Sequence, residues 1–216
     1  MARRIIIVDD HPLFRAALRQ TLSGTGGFQV EEAGDLNALL AALEADRDCD
    51  LVLLDLNMPG GHGISGLLLL RAQYPEVPVM IISAVEDHKV IRRTFELGAA
   101  GYLPKSVGPA EIRKAIDTVL SGEISVPDGV NLDGEDEQSA FIRRLATLTP
   151  QQIRVLMMLS DGLMNKQIAY ELSISEATVK AHVSSILQKL DVDSRTQAVI
   201  AASKIELGQF EALLEG

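Results

Sequence analysis

The chain has 216 residues, 47% of them hydrophobic, with a single cysteine and a formal net charge of −10. That length suits one large domain or two small ones, and that apolar content excludes a largely disordered chain. One cysteine, Cys49, excludes a disulfide-stapled secreted scaffold and reads as a small structural residue in a reducing cytoplasm, and no stretch approaches the ~20 apolar residues of a membrane span.

The apolar run Ile5–Val8 behind Arg3 and Arg4 is too short for a signal-peptide core. It opens instead an alternation of strand-like and helix-like segments. Strands are expected at Arg4–Val8, Val30–Ala33, Leu51–Asp55, Val79–Ser83 and Gly101–Leu103. Helices are expected between and after them, near Pro12–Leu22, Leu36–Ala45, Ile64–Gln73, Asp87–Leu97 and Pro109–Leu120. The first, third and fourth strands are unbroken apolar runs, as parallel strands buried on both faces require. Five such repeats predict a doubly wound parallel sheet over residues 1–121. Residues 122–146 break the pattern with Gly122, Pro127, Gly129 and Gly134 and an acidic run at Gly134–Asp136. They read as a linker with a short helix near Phe141–Leu145.

From residue 147 to 216 the pattern is helical only. Thr149-Pro150-Gln151-Gln152 is a capping box with proline at the first helical position, and Gly162 is a stop signal. Asn165 is expected to cap a short helix ending near Leu172. Ser175 opens a third helix to about Leu190, and the box at Ser194–Gln197 opens a fourth to about Lys204. Residues 147–205, with 6 basic and 5 acidic side chains, are the one stretch that is not net acidic, so a nucleic-acid site is expected only there.

In parallel α/β sheets, ligands bind beyond the C-terminal ends of the strands. Asp9 and Asp10 end the first strand, Asp55 the third and Ser83 the fourth, and Lys105 lies just past the fifth. Clustered carboxylates bind a hard cation such as Mg²⁺, a central carboxylate can attack phosphorus, and a hydroxyl and an ammonium can hold the phosphoryl oxygens. Singly, each is an ordinary turn or loop residue; five together on one edge are a site.

The strings IIIVDDHPLFR, LVLLDLNMPGGHG, MIISA and GAAGYLPKS resemble the receiver domain of response regulators over about residues 3–121. The resemblance implies the flavodoxin-like strand order 2-1-3-4-5 and makes Asp55 the phosphoacceptor. It implies Mg²⁺ held by Asp9, Asp10, Asp55 and the backbone carbonyl of Asn57. It places Ser83 at the switch hydroxyl, Lys105 at the family's lysine and Tyr102 at the switch aromatic. Many relatives have proline after that lysine; here Ser106 follows.

In the third helix of the second half, Val179, Val183, Ile186 and Leu190 share one apolar arc. The opposite face carries Ala177, Ala181, Ser184 and Gln188, flanked by Lys180, Thr178, Lys189 and His182. Such a face fits either a solvated helix or insertion into the major groove. LTPQQIRVL, GLMNKQIAYELSISEATVKAHVSSILQKL and SRTQAV resemble the LuxR-type helix-turn-helix over about residues 147–204. That implies a four-helix domain in which Ser175–Lys189 is the recognition helix. Lys180, Ala181 and Ser184 would face base edges, and Lys166, Thr178 and Lys189 would face phosphates, with His182 structural. The last helix would be the contact of a homodimer on double-stranded DNA.

Together the halves resemble the NarL/FixJ class, a phosphorylation-dependent transcriptional regulator of a two-component system without an enzymatic role of its own. That implies a sensor histidine kinase as partner, no membrane partner, and a switch in which Tyr102 turns inward on phosphorylation. A phosphatase of the haloacid dehalogenase type would need a DxD pattern on the first strand; here Asp9 and Asp10 are adjacent and the DxN pattern is on the third. A helical domain that binds protein instead of DNA is the other alternative, and salt-sensitive duplex binding separates the two.

Overall fold

The computed structural model describes residues 2–23, 27–58, 63–133 and 139–207, the last four of these by backbone alone. The acidic run at Gly134–Asp136 and the end of the chain from residue 208 lie outside the described residues. The chain divides into two compact units, Met1–Gly134 and Glu135–Gly216.

In the first unit β1 (Arg3–Val8), β2 (Phe28–Ala33), β3 (Leu51–Asp55), β4 (Val79–Ser83) and β5 (Gly101–Pro104) form one sheet in the order β2-β1-β3-β4-β5. All four pairings are parallel. The connecting helices are α1 (Pro12–Ser23), α2 (Leu36–Ala45), α3 (Gly63–Gln73), α4 (His88–Glu96) and α5 (Pro109–Leu120). β3 and β4 are buried at every position, which is why their runs show no polar alternation. Along the strands, Ile5, Ile7, Leu51, Leu53, Met80, Ile82 and Leu103 pack on Leu18 and Leu22 of α1 and Ile112, Ile116 and Val119 of α5. The alternate residues Ile6, Val8, Val52 and Leu54, equally buried, point by the pleat to the other face. Each fully buried aliphatic contributes roughly 1.5–3 kcal/mol.

Local signals set the helix starts. Asp35 Oδ1 accepts the Ala38 N–H at 2.8 Å to begin α2, and Asp87 Oδ1 accepts those of Lys89 and Val90 at 2.7 and 3.2 Å to begin α4. Pro109 occupies the first turn of α5. Gly63 opens α3 where a Cβ would run into the Leu56 backbone, so only glycine lets the helix start that close to the end of β3.

The stretch read as a linker begins with contacts to the sheet. Gly122, at φ +90, turns the chain back, and Ser125 forms an isolated parallel bridge with Gly101. The Tyr102 N–H donates to the Ser125 carbonyl and the Ser125 N–H to the Ala100 carbonyl, both at 3.0 Å.

The second unit holds α6 (Ser139–Leu145), α7 (Pro150–Ser160), α8 (Asn165–Glu171), α9 (Glu176–Leu190) and α10 (Arg195–Leu207). The Thr149 capping box forms as its residues dictate, and Gly162 ends that turn at φ +83. Asn165 is not the cap of α8. Met164 takes the cap position, Asn165 is the first helical residue, and Gln167 Oε1 reaches back to the Met164 N–H at 2.8 Å. The glutamine three residues on fixes the start, and it outranks the asparagine. Ser173, at φ +53, makes the turn between α8 and α9, where Ser175 Oγ accepts the Thr178 N–H at 3.0 Å. Val179, Ile186 and Leu190 of α9 are buried with Leu156, Leu159 and Ile168, while Val183 is half-buried.

Candidate functional site

Register places the acidic groups. Val8 lies opposite Leu54, so Asp9 and Asp55 leave neighbouring strands at one level, and β4 brings Ser83 one residue past the partner of Asp55. Asp9 and Asp55 are each 1% exposed, and Ser83 is buried. Lys105 crosses to both carboxylates. Its Nζ lies 2.7 Å from Asp9 Oδ2 and 2.8 Å from Asp55 Oδ2. The contact to Asp9 is an ion pair out of line for a hydrogen bond, while that to Asp55 is aligned. Burial by itself would lower the Lys105 pKa, but the two carboxylates outweigh it and the ammonium is held above its ordinary value. Among the described residues no peptide is cis, so Lys105–Ser106 is trans.

The other carboxylate oxygens are oriented by the turns that follow the strands. Asp55 Oδ1 accepts the Asn57 N–H at 3.0 Å, and Asp9 Oδ1 the His11 N–H at 2.7 Å. One donor atom from each of Asp9, Asp10, His11 and Asp55 lies within 4.8 Å of the others. Asp10 Oδ1 is buried with no aligned hydrogen-bond partner among the described residues, its neighbour being His11 Nδ1 at 2.8 Å. A buried carboxylate oxygen left this way calls for a cation, and a set rich in hard oxygens suits Mg²⁺. The residues present therefore fit a divalent ion.

Tyr102 is 2% exposed and already inward: its hydroxyl donates to the Val85 carbonyl at 2.6 Å. Val85 in turn donates its N–H to Ser83 Oγ at 3.1 Å. Burial pushes the Tyr102 phenol up to about 12, against a hydrogen bond from Ser83 that lowers it. The inward orientation named for the switch aromatic is the one this structure shows.

Two neighbours of the site escaped the sequence reading. His11 follows the acidic pair directly, and the run Asp9-Asp10-His11 was its available signal. Phe14, in the first turn of α1, puts its ring 4.7 Å from Lys105 Nζ. Nothing in spacing alone marks Phe14, because it is an ordinary apolar position of an amphipathic helix.

On α9, Thr178, Lys180, Ala181 and Ser184 are all exposed on one side, and Lys166 is exposed at the start of α8. Lys180 Nζ pairs with Glu176 Oε1 at 3.1 Å within the helix. Lys189 is half-buried and turned to its own unit, with Nζ donating to the Thr147 carbonyl at 2.7 Å and to Gln152 Oε1 at 2.9 Å. His182 is half-buried.

Residues 5–117 match the family described as "Response regulator receiver domain", and residues 146–202 that described as "Bacterial regulatory proteins, luxR family". The "Glycerol metabolism activator" of Pseudomonas putida is 41% identical over 212 residues, covering 94% of this chain and 96% of its own. The "Nitrate/nitrite response regulator protein NarP" of Escherichia coli is 38% identical over 200 residues, 91% and 93% of the two chains. A crystal structure of a LuxR family DNA-binding response regulator from Silicibacter pomeroyi aligns with a TM-score of 0.53 at 39% identity, covering 58% of this chain and 98% of that one. A structure of RcsB dimers bound to DNA aligns over 94% of this chain and 98% of that one, with a TM-score of 0.57; at 23% identity it shows likeness of fold.

Proposed function

The chain belongs to the response regulators that join a receiver domain to a LuxR-type DNA-binding domain, and on that premise we propose that it takes a phosphoryl group on Asp55 and converts it into promoter binding through α9. The donor is the phosphohistidine of a sensor histidine kinase or a small acyl phosphate. An Asp55 carboxylate oxygen forms the new bond to phosphorus while the bond to the donor breaks. The carrying observation is the Lys105 ammonium seated on both Asp9 and Asp55, a cation held where phosphoryl charge arrives. Mg²⁺, held by Asp9, Asp10, Asp55 and the Asn57 carbonyl, would supply charge neutralisation for the transfer.

Ser83 and Lys105 serve as partners of the phosphoryl oxygens. When Ser83 turns to the phosphate it leaves the Val85 N–H, and Val85 is also what holds Tyr102. A site event is thereby felt at β5; a bias of ~2 kcal/mol shifts a two-state population tens-fold. In the helical unit, exposed Lys180, Ala181 and Ser184 face the bases, and Lys166, Thr178 and the remaining N–H of Lys189 face phosphates. Two copies, joined through α10, read two half-sites.

The chain divides into a receiver (residues 1–121), a linker (122–146) and a DNA-binding domain (147–216); two compact units, Met1–Gly134 and Glu135–Gly216, support two domains, with Ser125 of the linker bridged to β5 and α6 counted in the second unit. Membership of this DNA-binding regulator family supports action in the cytoplasm; among the described residues no helix is long and apolar enough to cross a membrane. The test is labelled acetyl phosphate with Mg²⁺, followed by duplex binding at two salt concentrations. The wild-type chain takes label and then binds DNA more tightly, and binding weakens with salt. Asp55→Asn takes no label; retained label in that variant removes Asp55 from its role.

A further inference from the structure

We propose that Phe14 positions the Lys105 ammonium through the face of its ring, and so sets how fast Asp55 is phosphorylated; the inference rests on the reading of Asp55 as acceptor. An ammonium has three N–H donors. Two directions from Lys105 Nζ are taken by Asp9 Oδ2 at 2.7 Å and Asp55 Oδ2 at 2.8 Å. Phe14 supplies a further side, with the ring centroid 4.7 Å away. That lies inside the distance at which a cation is drawn to an aromatic face.

The fold holds the ring there. Phe14 is the third residue of α1 and its N–H donates to the His11 carbonyl at 3.1 Å, fixing the first turn directly after the acidic pair. Helical side chains lean toward the N-terminus, so this one reaches back over the end of β1. The ring is half-buried and packs against the core between the sheet, α1 and α5, so it is braced from below.

The chemistry calls for a partner of this kind. Before transfer, Lys105 is tied to the nucleophile itself. During transfer Asp55 loses its full negative charge and the ammonium must stay poised for the phosphoryl oxygens. A third carboxylate would compete with the phosphate for it. A ring face attracts the ammonium, offers no lone pair to compete, and does not change as the phosphate arrives. Phe14 touches no reacting atom; it acts through Lys105.

The experiment compares the full chain with Phe14→Leu and Phe14→Tyr. The leucine keeps an apolar core group without a π face; the tyrosine keeps the face. Label from acetyl phosphate and Mg²⁺ should enter Phe14→Leu about three- to tenfold more slowly, with Phe14→Tyr within about twofold of wild type. Thermal unfolding with and without Lys105→Met completes a double-mutant cycle, in which Phe14→Leu costs more in the presence of Lys105 than in its absence. Equal labelling of Phe14→Leu and wild type, a Phe14→Tyr as slow as Phe14→Leu, or equal unfolding costs in the two backgrounds would each overturn the proposal. A wild-type chain that takes no label would instead remove the underlying reading of Asp55.

Discussion

Replacing Lys105 with methionine separates the electrostatics of the site from its shape. Methionine preserves the length of the apolar stem and removes the ammonium that Asp9 and Asp55 share at 2.7 and 2.8 Å. The two carboxylates, each 1% exposed, are then left facing one another. Removing one partner of a buried pair costs roughly 3–5 kcal/mol. The Lys105 side chain is 17% exposed and the site opens to water beside Asp10, so screening reduces that to about 2–3 kcal/mol. With a urea slope of ~1–3 kcal/mol per M, the unfolding midpoint of the α/β unit should fall by about 1–2 M in EDTA. Near-ultraviolet circular dichroism isolates that unit, because Tyr74 and Tyr102 are buried in it while Tyr170 of the helical unit is exposed. Adding Mg²⁺ should restore more stability to Lys105→Met than it adds to wild type, since the cation then relieves a repulsion that Lys105 otherwise relieves. Equal midpoints in EDTA, or an equal gain from Mg²⁺, would refute the claim that Lys105 is the neutralising charge.

Three further outcomes follow from individual contacts. Tyr102 in the folded chain titrates at about 12, above its ordinary 10, so the unfolded chain loses its proton first and stability falls as pH rises from 10 toward 12. The unfolding temperature of Tyr102→Phe should decline less steeply than wild type over that window. Lys180→Ala should weaken duplex binding and leave the unfolding temperature unchanged, whereas Lys189→Ala should lower both, because Lys189 holds the Thr147 carbonyl and Gln152; mobility shift and calorimetry together read the contrast. Ser125→Pro removes the N–H given to the Ala100 carbonyl and should cost about 1–3 kcal/mol, with the Tyr102 amide losing its protection in hydrogen exchange.

The features legible in the sequence and those hidden from it divide along one physical line. Unbroken runs such as Ile5–Val8 and Leu51–Leu54 announce strands buried on both faces. Once strands are parallel, their C-terminal ends must share an edge, so topology brings Asp9, Asp55 and Lys105 to one edge, and the register that sets Val8 opposite Leu54 puts the two carboxylates at one level. Phe14 and His11 were hidden because their roles depend on where a first-turn side chain leans, which spacing does not encode. Lys189 was placed on the outer face by helical periodicity, yet its long stem carries the ammonium back to Thr147 and Gln152. Ser125 was hidden by its flanks. Ile124-Ser125-Val126 has β-branched residues on either side of a serine, as a short strand would, but Gly122 and Pro127 made the stretch look irregular. The bridge forms because the edge of β5 has backbone groups to satisfy, and the chain leaving α5 passes within reach of them. An edge strand thus recruits its neighbour by unmet hydrogen bonds, a demand visible only when the strand order β2-β1-β3-β4-β5 is known. For this chain the consequence is that Tyr102 gives its hydroxyl to Val85, whose N–H reaches Ser83, and its amide to Ser125, so one residue ties the turn after β4 to the chain that leaves α5.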